Sequence, residues 1–340
     1  MDIILYVKNL KGRGVQKVYL NLAKGLQELG HTIHFVIREN IIELPYNFLH
    51  HFYIFVKNIT DKLDALALTL SHPILIANDV KTTQDIKNIP TTNIYHTVHM
   101  LWGERIFKQL RLKKWFELKK LYKNKQIIAV SEAVKADLLN KVGIKPKSIT
   151  VIHDGFDIQH IQKLSKQETI TLSKPYILAL GALSREKNYP LLLKSYAKLD
   201  TSLDLLIIGK GKQEQALKKL TQKLHIEEHV HFLGFQSNPY PYIAKAKLLI
   251  STSLNEALPG VTIESLILHT PVVSTDTLGI RSVLREEFSE YIVTSSSMLT
   301  KTIKKALKNY PAIKPQIYQN FDYLYIAQQY IDHITKSLKD

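Results

Sequence analysis

The stretch Leu248-Leu-Ile-Ser-Thr-Ser-Leu-Asn-Glu256-Ala-Leu-Pro-Gly-Val-Thr-Ile-Glu264-Ser-Leu-Ile-Leu268 reads as a strand, a loop and a helix. Leu248–Ser251 is a short apolar run of the kind that forms a strand buried on both faces. Leu258-Pro259-Gly260 makes a turn, and a helix starting near Val261 and running over Thr262–Leu268 carries Glu264. One carboxylate thus stands just before the loop and a second lies inside the first helical turn.

The same alternation extends in both directions. Upstream, Tyr176–Leu180, Leu203–Ile208 and Val230–Phe232 read as strands, with helices over Tyr189–Leu199 and Gln213–Leu224, and Pro271–Ser274 continues the strand series downstream. An earlier series comprises strands at Ile3–Val7, Thr32–Ile37, Ile74–Ala77, Asn93–Val98, Gln126–Val130 and Ile149–Ile152. Helices are expected over Val15–Leu29, closed by Gly30, and over Ser131–Val142, with Ser131 as N-cap. Between the series, Ile158–Lys174 is rich in Gln, Lys, Ser and Thr and reads as a linker. The last twenty residues, with Phe321, Tyr325, Tyr330 and Ile334, read as a packed terminal helix. Two βα series predict an α/β protein of two doubly wound sheets, whose ligands sit at the strand carboxyl ends.

Composition narrows the classes. At 340 residues, with 45% hydrophobic and 22% charged, the chain has room for two globular domains. It has no cysteine, which excludes disulfides, thiolate catalysis and cysteine-based metal sites, and fits a reducing cytoplasm. No apolar run approaches the roughly 18 residues of a membrane span. The N-terminus reads as a first strand rather than a signal peptide. The net charge of +16 leaves nucleic acid, an anionic membrane surface or a phosphate-bearing substrate as counterparts.

Three clusters carry chemistry. Lys11-Gly12-Arg13-Gly14-Val15-Gln16-Lys17 lies between a strand and a helix, where Gly12 and Gly14 allow close approach to a phosphate or a sugar ring. A dinucleotide fingerprint needs a third glycine where Lys17 stands, so a nicotinamide site is disfavoured. Gly181-Ala182-Leu183-Ser184-Arg185-Glu186-Lys187 repeats the strand-to-helix position with two cations suited to a diphosphate. The Glu256–Glu264 segment supplies the complement: carboxylates for sugar and ribose hydroxyls, and helix-start amides for the diphosphate. From Arg105 to Lys125 nine basic residues interleave with Trp102, Phe107, Leu110, Leu112, Trp115, Phe116, Leu118 and Leu121, a pattern of interfacial membrane contact or of a packed basic helix.

In order and spacing these motifs resemble the retaining GT-B glycosyltransferases, family 4 type (glycosyl transferases group 1), over nearly the whole chain. The resemblance also takes in Val130-Ser131, His153-Asp154-Gly155-Phe156-Asp157, Ile208-Gly209-Lys210-Gly211, Phe232-Leu233-Gly234-Phe235 and the tail Phe321–Leu338. It implies two Rossmann-like domains facing across a cleft. The first, over residues 1–168, would take the acceptor, and the second, over 169–318, the nucleotide-sugar donor. Residues 319–340 would form a helix crossing back to the first domain.

The resemblance further implies catalytic roles for His99, Lys187 and Glu256, with His96 as second choice to His99. Donor contacts would come from Gly12, Gly14, Arg185, Lys187, Gly209, Phe235, Glu256, Leu258, Pro259, Gly260, Val261 and Glu264. Lys187 would hold the pyrophosphate, Glu256 the donor sugar, Glu264 the ribose, and Phe235 and its neighbours the nucleobase. The family's arginine after the second-cluster glycine is Ala182 here, and Arg185 is the candidate replacement. Arg105, Lys108, Arg111, Lys113 and Lys114 would meet the acceptor or an anionic membrane.

The implied activity moves a hexose or N-acetylhexosamine from a nucleotide-diphosphate sugar, UDP favoured, to a glycan or lipid-linked acceptor with retention. No cofactor and no metal are implied, and no Asp-x-Asp motif stands out. The implied setting is lipopolysaccharide or other glycan assembly in the cytoplasm, at the inner face of its membrane. The alternatives are a sugar-nucleotide epimerase of the same architecture and a nucleic-acid-binding protein, although no nucleic-acid motif is present.

Overall fold

The computed structural model describes residues 1–11, 14–86, 93–108, 111–167 and 174–339, apart from the side chains of residues 107 and 108. It divides into two compact units. One comprises Met1–Asp157 with Asn320–Asp340, and the other Ile158–Gln319. The sequence placed the divisions at 168 and 318.

The first unit runs β1 (Asp2–Val7), α1 (Gly14–Glu28), β2 (Thr32–Ile37), β3 (His51–Ile54), α2 (Ile59–Leu68), β4 (Ile74–Asn78) and α3 (Asp79–Asp85). It continues with β5 (Asn93–Val98), α4 (Trp102–Lys108), α5 (Leu112–Leu121), β6 (Gln126–Ala129), α6 (Glu132–Ala136) and β7 (Ser148–Val151). The second unit holds α7 (Ile158–Leu164), β8 (Tyr176–Leu180), α8 (Tyr189–Tyr196), β9 (Asp204–Ile208), α9 (Glu214–Lys223) and β10 (Val230–Gly234). It is completed by α10 (Tyr240–Lys245), β11 (Leu249–Ser251), α11 (Gly260–Ile267), β12 (Val272–Thr275), β13 (Ile292–Val293) and α12 (Leu299–Lys308). The chain then returns to the first unit as α13 (Tyr323–Ser337).

Among the described residues, the first sheet has the order β3-β2-β1-β4-β5-β6-β7 and the second β10-β9-β8-β11-β12-β13. The paired strands are parallel throughout. Parallel strands covered on both faces need continuous apolar runs, and Ile3–Val7 and Leu205–Ile207 are completely buried. Each sheet reverses its strand order once, between β1 and β4 in the first and between β8 and β11 in the second. Such a reversal opens a crevice at the strand carboxyl ends.

Helix α13 joins the first unit through tight backbone packing. Phe156 N–H donates to Phe321 O at 2.7 Å, and Tyr323 N–H donates to Phe156 O at 3.1 Å. A Cβ on Gly25 of α1 would stand 2.8 Å from Ala327 Cβ and 2.9 Å from Tyr323 O, so only glycine lets the two helices meet here. Ile326, Tyr330 and Ile334 are buried, whereas Tyr325, expected to pack, faces solvent.

Two further expectations change. The segment read as a linker from Ile158 begins with α7, because Ile161 finds a buried position against the second unit. The helix expected over Ser131–Val142 is α6 followed by a π-helical turn over Asp137–Val142. Ser131 does cap it, accepting from Val134 N at 3.3 Å. The buried Asp137 caps α4 instead, accepting from Gly103 N at 2.7 Å and Glu104 N at 3.2 Å.

Candidate functional site

At the β8/β11 reversal, the loop after β8 winds into a short 3-10 turn over Arg185–Lys187. Asn188 follows in the left-handed region, with φ 49°, and α8 starts after it. Gly181, at φ +150°, lets the Lys187 stem cross close to the backbone, since a Cβ there would lie 3.2 Å from Lys187 Cε. The loop after β11 is tied to this turn: Leu254 N–H donates to Glu186 O at 2.7 Å, and Thr252 Oγ1 donates to Lys187 O at 2.9 Å.

These ties bring Lys187 Nζ to 2.5 Å from Glu256 Oε1. Ser253 Oγ donates to the same carboxylate oxygen at 2.7 Å. The Glu256 backbone is fixed from a third loop, because Gly279 N–H donates to Glu256 O at 3.0 Å. A Cβ on Gly279 would lie 2.6 Å from Glu256 O and collide with Ala257 O, so this close approach excludes other residues. Tyr189 OH donates to Gly181 O at 3.0 Å, and burial with the Glu256 charge pushes its pKa up.

Other expected donor residues fall around this pair. Arg185 is exposed and, among the described residues, engages no carboxylate. Gly209 has φ +148° at the end of β9, and a Cβ there would collide with the Gly181 carbonyl. Its visible role is to let two loops touch backbone to backbone. Phe235, just past β10, is 58% exposed. Leu258 and Pro259 lead into α11, whose first residues are Gly260 and Val261. The amides of Gly260, Thr262 and Ile263 turn back to Leu258 O or Pro259 O, which leaves fewer amides pointing outward than the sequence implied. Glu264 Oε1 accepts from Tyr240 OH at 3.1 Å.

In the first unit, His99 stands just past β5, with Nε2 3.0 Å from Asp154 Oδ1. Its Nδ1 is buried without a hydrogen-bond partner. His96 lies three residues earlier, within β5. It is fully buried, 3.1 Å from Thr83 Oγ1, and burial with the Lys125 charge lowers its pKa to about 3. His96 is therefore a neutral core residue. Gly14 opens α1 in open space, where a Cβ would meet nothing within 4 Å. Gly12 and the Lys108 side chain lie outside the described residues.

The basic stretch forms two helices rather than one. Arg105 and Lys114 lie over the Trp102 ring at 6.0 and 5.7 Å, and Lys114 pairs with Glu117 at 2.9 Å. Ile106 and Leu118 are buried. Leu112 and Phe116, one turn apart on α5, are 62% and 64% exposed beside exposed Arg111 and Lys113. Among the described residues no helix is long and apolar enough to cross a membrane.

Ser253, Gly279 and Tyr240 were not foreseen. The hydroxyl run Ser251-Thr-Ser was a signal for the first. Gly279, far along the chain in an unremarkable loop, offered none.

Residues 12–160 match Glycosyltransferase Family 4, and residues 160–321 match Glycosyl transferases group 1. A Campylobacter jejuni N-acetylgalactosamine-N,N'-diacetylbacillosaminyl-diphospho-undecaprenol 4-alpha-N-acetylgalactosaminyltransferase is 36% identical over 44% of this chain. The matched region spans 41% of that relative's length. An uncharacterized glycosyltransferase of Haemophilus influenzae is 26% identical over 77% of this chain and 76% of its own. Among solved structures, Anabaena HepE in complex with UDP superposes with a TM-score of 0.80 at 18% identity, covering 99% of this chain and 100% of that one. At that identity the likeness speaks for the fold. The two matched domains follow one another along the chain in the same order as the two sheets. The chain belongs to the family 4, group 1 glycosyltransferases.

Proposed function

We propose that the protein transfers a sugar from a nucleotide-diphosphate sugar to a hydroxyl of a glycan or lipid-linked acceptor, with retention of anomeric configuration. The observation that carries this reading is the Lys187–Glu256 pair at the strand reversal of the second unit. A cation and a carboxylate side by side suit a ligand that is anionic at its diphosphate and hydroxylated at its sugar. In the resting protein they neutralise each other. A bound donor would take Lys187 onto its phosphate and free Glu256 to accept from a sugar hydroxyl.

In this reading Lys187 and Arg185 stabilise charge that develops on the leaving diphosphate. The bond from the anomeric carbon to the phosphate oxygen breaks, and the acceptor oxygen bonds to that carbon from the same face. The acceptor proton passes to the departing phosphate. Glu264 would accept from the ribose, with Phe235 near the nucleobase. Gly260 and Val261 would bring the helix-start backbone close to the diphosphate. The cations present support metal-independent transfer, and turnover that survives a chelator is the expected result.

The relatives support the donor class. The Campylobacter relative is named as an N-acetylgalactosaminyltransferase acting on an undecaprenol-linked glycan. HepE has been solved with UDP and with UDP-glucose. A UDP-sugar is accordingly the first donor to try. The names of the relatives favour neither the epimerase nor the nucleic-acid reading. A location at the inner face of the cytoplasmic membrane fits the exposed basic face of α5.

The test is a panel of nucleotide sugars, scored by thermal shift and by sugar transfer. Binding of a UDP-sugar stabilises the folded state by mass action. If no nucleotide sugar raises the melting temperature and none is turned over, the reading fails.

A further inference from the structure

Three hydroxyl residues in a row, Ser251-Thr252-Ser253, end β11 and open the loop that leads to Glu256. Thr252 Oγ1 donates to Lys187 O at 2.9 Å and to Asn188 O at 3.1 Å. Thr275 Oγ1, at the end of β12, donates to Ser253 O at 2.6 Å. These bonds all end on backbone carbonyls, and they fasten loops. Ser253 gives its proton to a carboxylate instead. Its Oγ donates to Glu256 Oε1 at 2.7 Å and accepts from Ser251 Oγ at 3.4 Å. Ser253 is 2% exposed, so solvent has little access to that bond.

The two oxygens of Glu256 are therefore not equivalent. Oε1 accepts from Ser253 and, at 2.5 Å, from Lys187 Nζ. Oε2 accepts from no group among the described residues, and it is not buried. A carboxylate held at one oxygen and open at the other is a directed acceptor, with the lone pairs of the open oxygen left for a ligand hydroxyl. Once a diphosphate draws Lys187 away, the Ser253 hydroxyl is the side-chain bond that remains on Oε1.

We propose that Ser253 is the positioning residue for the donor sugar: its hydroxyl holds Glu256 Oε1 and so turns Oε2 toward a hydroxyl of the sugar being transferred. This assignment rests on the transfer reaction proposed above, and adds which carboxylate oxygen meets the sugar and what keeps it in place. A nucleoside diphosphate without a sugar makes no use of Oε2. Ser253 accordingly matters for the sugar-bearing donor and not for the nucleotide alone.

Ser253→Ala tests it, because this change removes only the hydroxyl. The probes are UDP, for binding, and the UDP-sugar with the highest turnover in the panel, followed by UDP release with water or octyl glucoside as acceptor. The kcat should fall about ten- to a hundredfold, the usual worth of one hydrogen bond to a charged group, while the Kd for UDP and the melting temperature stay as in the wild type. Ser253→Thr keeps the hydroxyl and should recover most of the turnover. Wild-type kcat in Ser253→Ala overturns the assignment, and so does a folded Ser253→Thr as slow as the alanine variant. A joint loss of kcat, UDP binding and melting temperature also overturns it, since that is the mark of a residue that only holds the loop. A wild type that binds no UDP and releases none from any UDP-sugar overturns the donor reading, and this assignment with it.

Discussion

Lys187 and Glu256, sixty-nine positions apart in sequence, meet at 2.5 Å where the second sheet reverses its strand order. Both side chains are partly exposed, at 29% and 18%, so the pair is accessible to a ligand and is not a sealed structural bridge. An exposed pair of this kind contributes about 1 kcal/mol or less to stability. In the proposed reading its value lies in what each partner would do once a donor separates them.

Lys187→Ala should therefore leave the melting temperature nearly unchanged and lower kcat by about a hundred- to a thousandfold, the usual effect of losing one donor to a developing anion. Glu256→Gln keeps the volume and loses the charge, and it should impair turnover while Lys187 remains. Steady-state kinetics beside thermal melts check both. A large drop in melting temperature with intact kcat would contradict a ligand-facing role.

Gly279→Ala should damage the site more than the fold. Its new methyl would press on the Glu256 and Ala257 carbonyls, and the loop must shift to accept it. Gly209→Ala differs, since its backbone conformation is also strained for alanine, and it should cost about 1–3 kcal/mol or more in stability. Chemical denaturation of both variants beside donor-binding assays separates the two effects.

Asp204 predicts a pH dependence. Burial opposes its charge, but hydrogen bonds from His231 at 2.9 Å and His229 at 3.3 Å, together with the charges of His231 and Lys174, outweigh burial and lower its pKa. A carboxylate lowered in the folded state adds stability that is complete above its unfolded pKa and vanishes as pH falls through the folded one. Asp204→Asn should cost about 1–3 kcal/mol at pH 7, and its gap to wild type should close in acid below the usual aspartate range. Urea titrations of both proteins at pH 7 and in acid measure the gap.

The α5 face should bind anionic vesicles. Each basic residue near such a surface contributes about 1 kcal/mol, and Leu112 and Phe116 add apolar insertion. Flotation with phosphatidylglycerol vesicles should recover the wild type, and recovery should fall for Leu112→Ser with Phe116→Ser and for Arg111→Glu with Lys113→Glu. Equal recovery on neutral vesicles would refute an electrostatic contact.

Much of the fold was legible because parallel strands buried on both faces leave continuous apolar runs, as in Ile3–Val7 and Tyr176–Leu180. β3 and α7 were missed, as were β13, α2, α3, α10 and α12. His51–Ile54 lies at a sheet edge with little burial, and α7 has a single fully buried residue, Ile161. Neither leaves a strong periodic signal. In the site, Lys187 and Glu256 stood out because each follows a strand and precedes a helix.

By itself the sequence determined the order of strands and helices, the glycine turns and the charged residues that end them, because apolar periodicity and turn chemistry act over a few neighbouring residues. Only the tertiary structure decided that Lys187 rests on Glu256, that Ser253 and Gly279 hold that carboxylate in place, and that His99 rather than His96 meets Asp154. Those relations depend on strand order, on the strand face each residue takes and on how close two backbones can come. All three are set when segments far apart in the chain pack together.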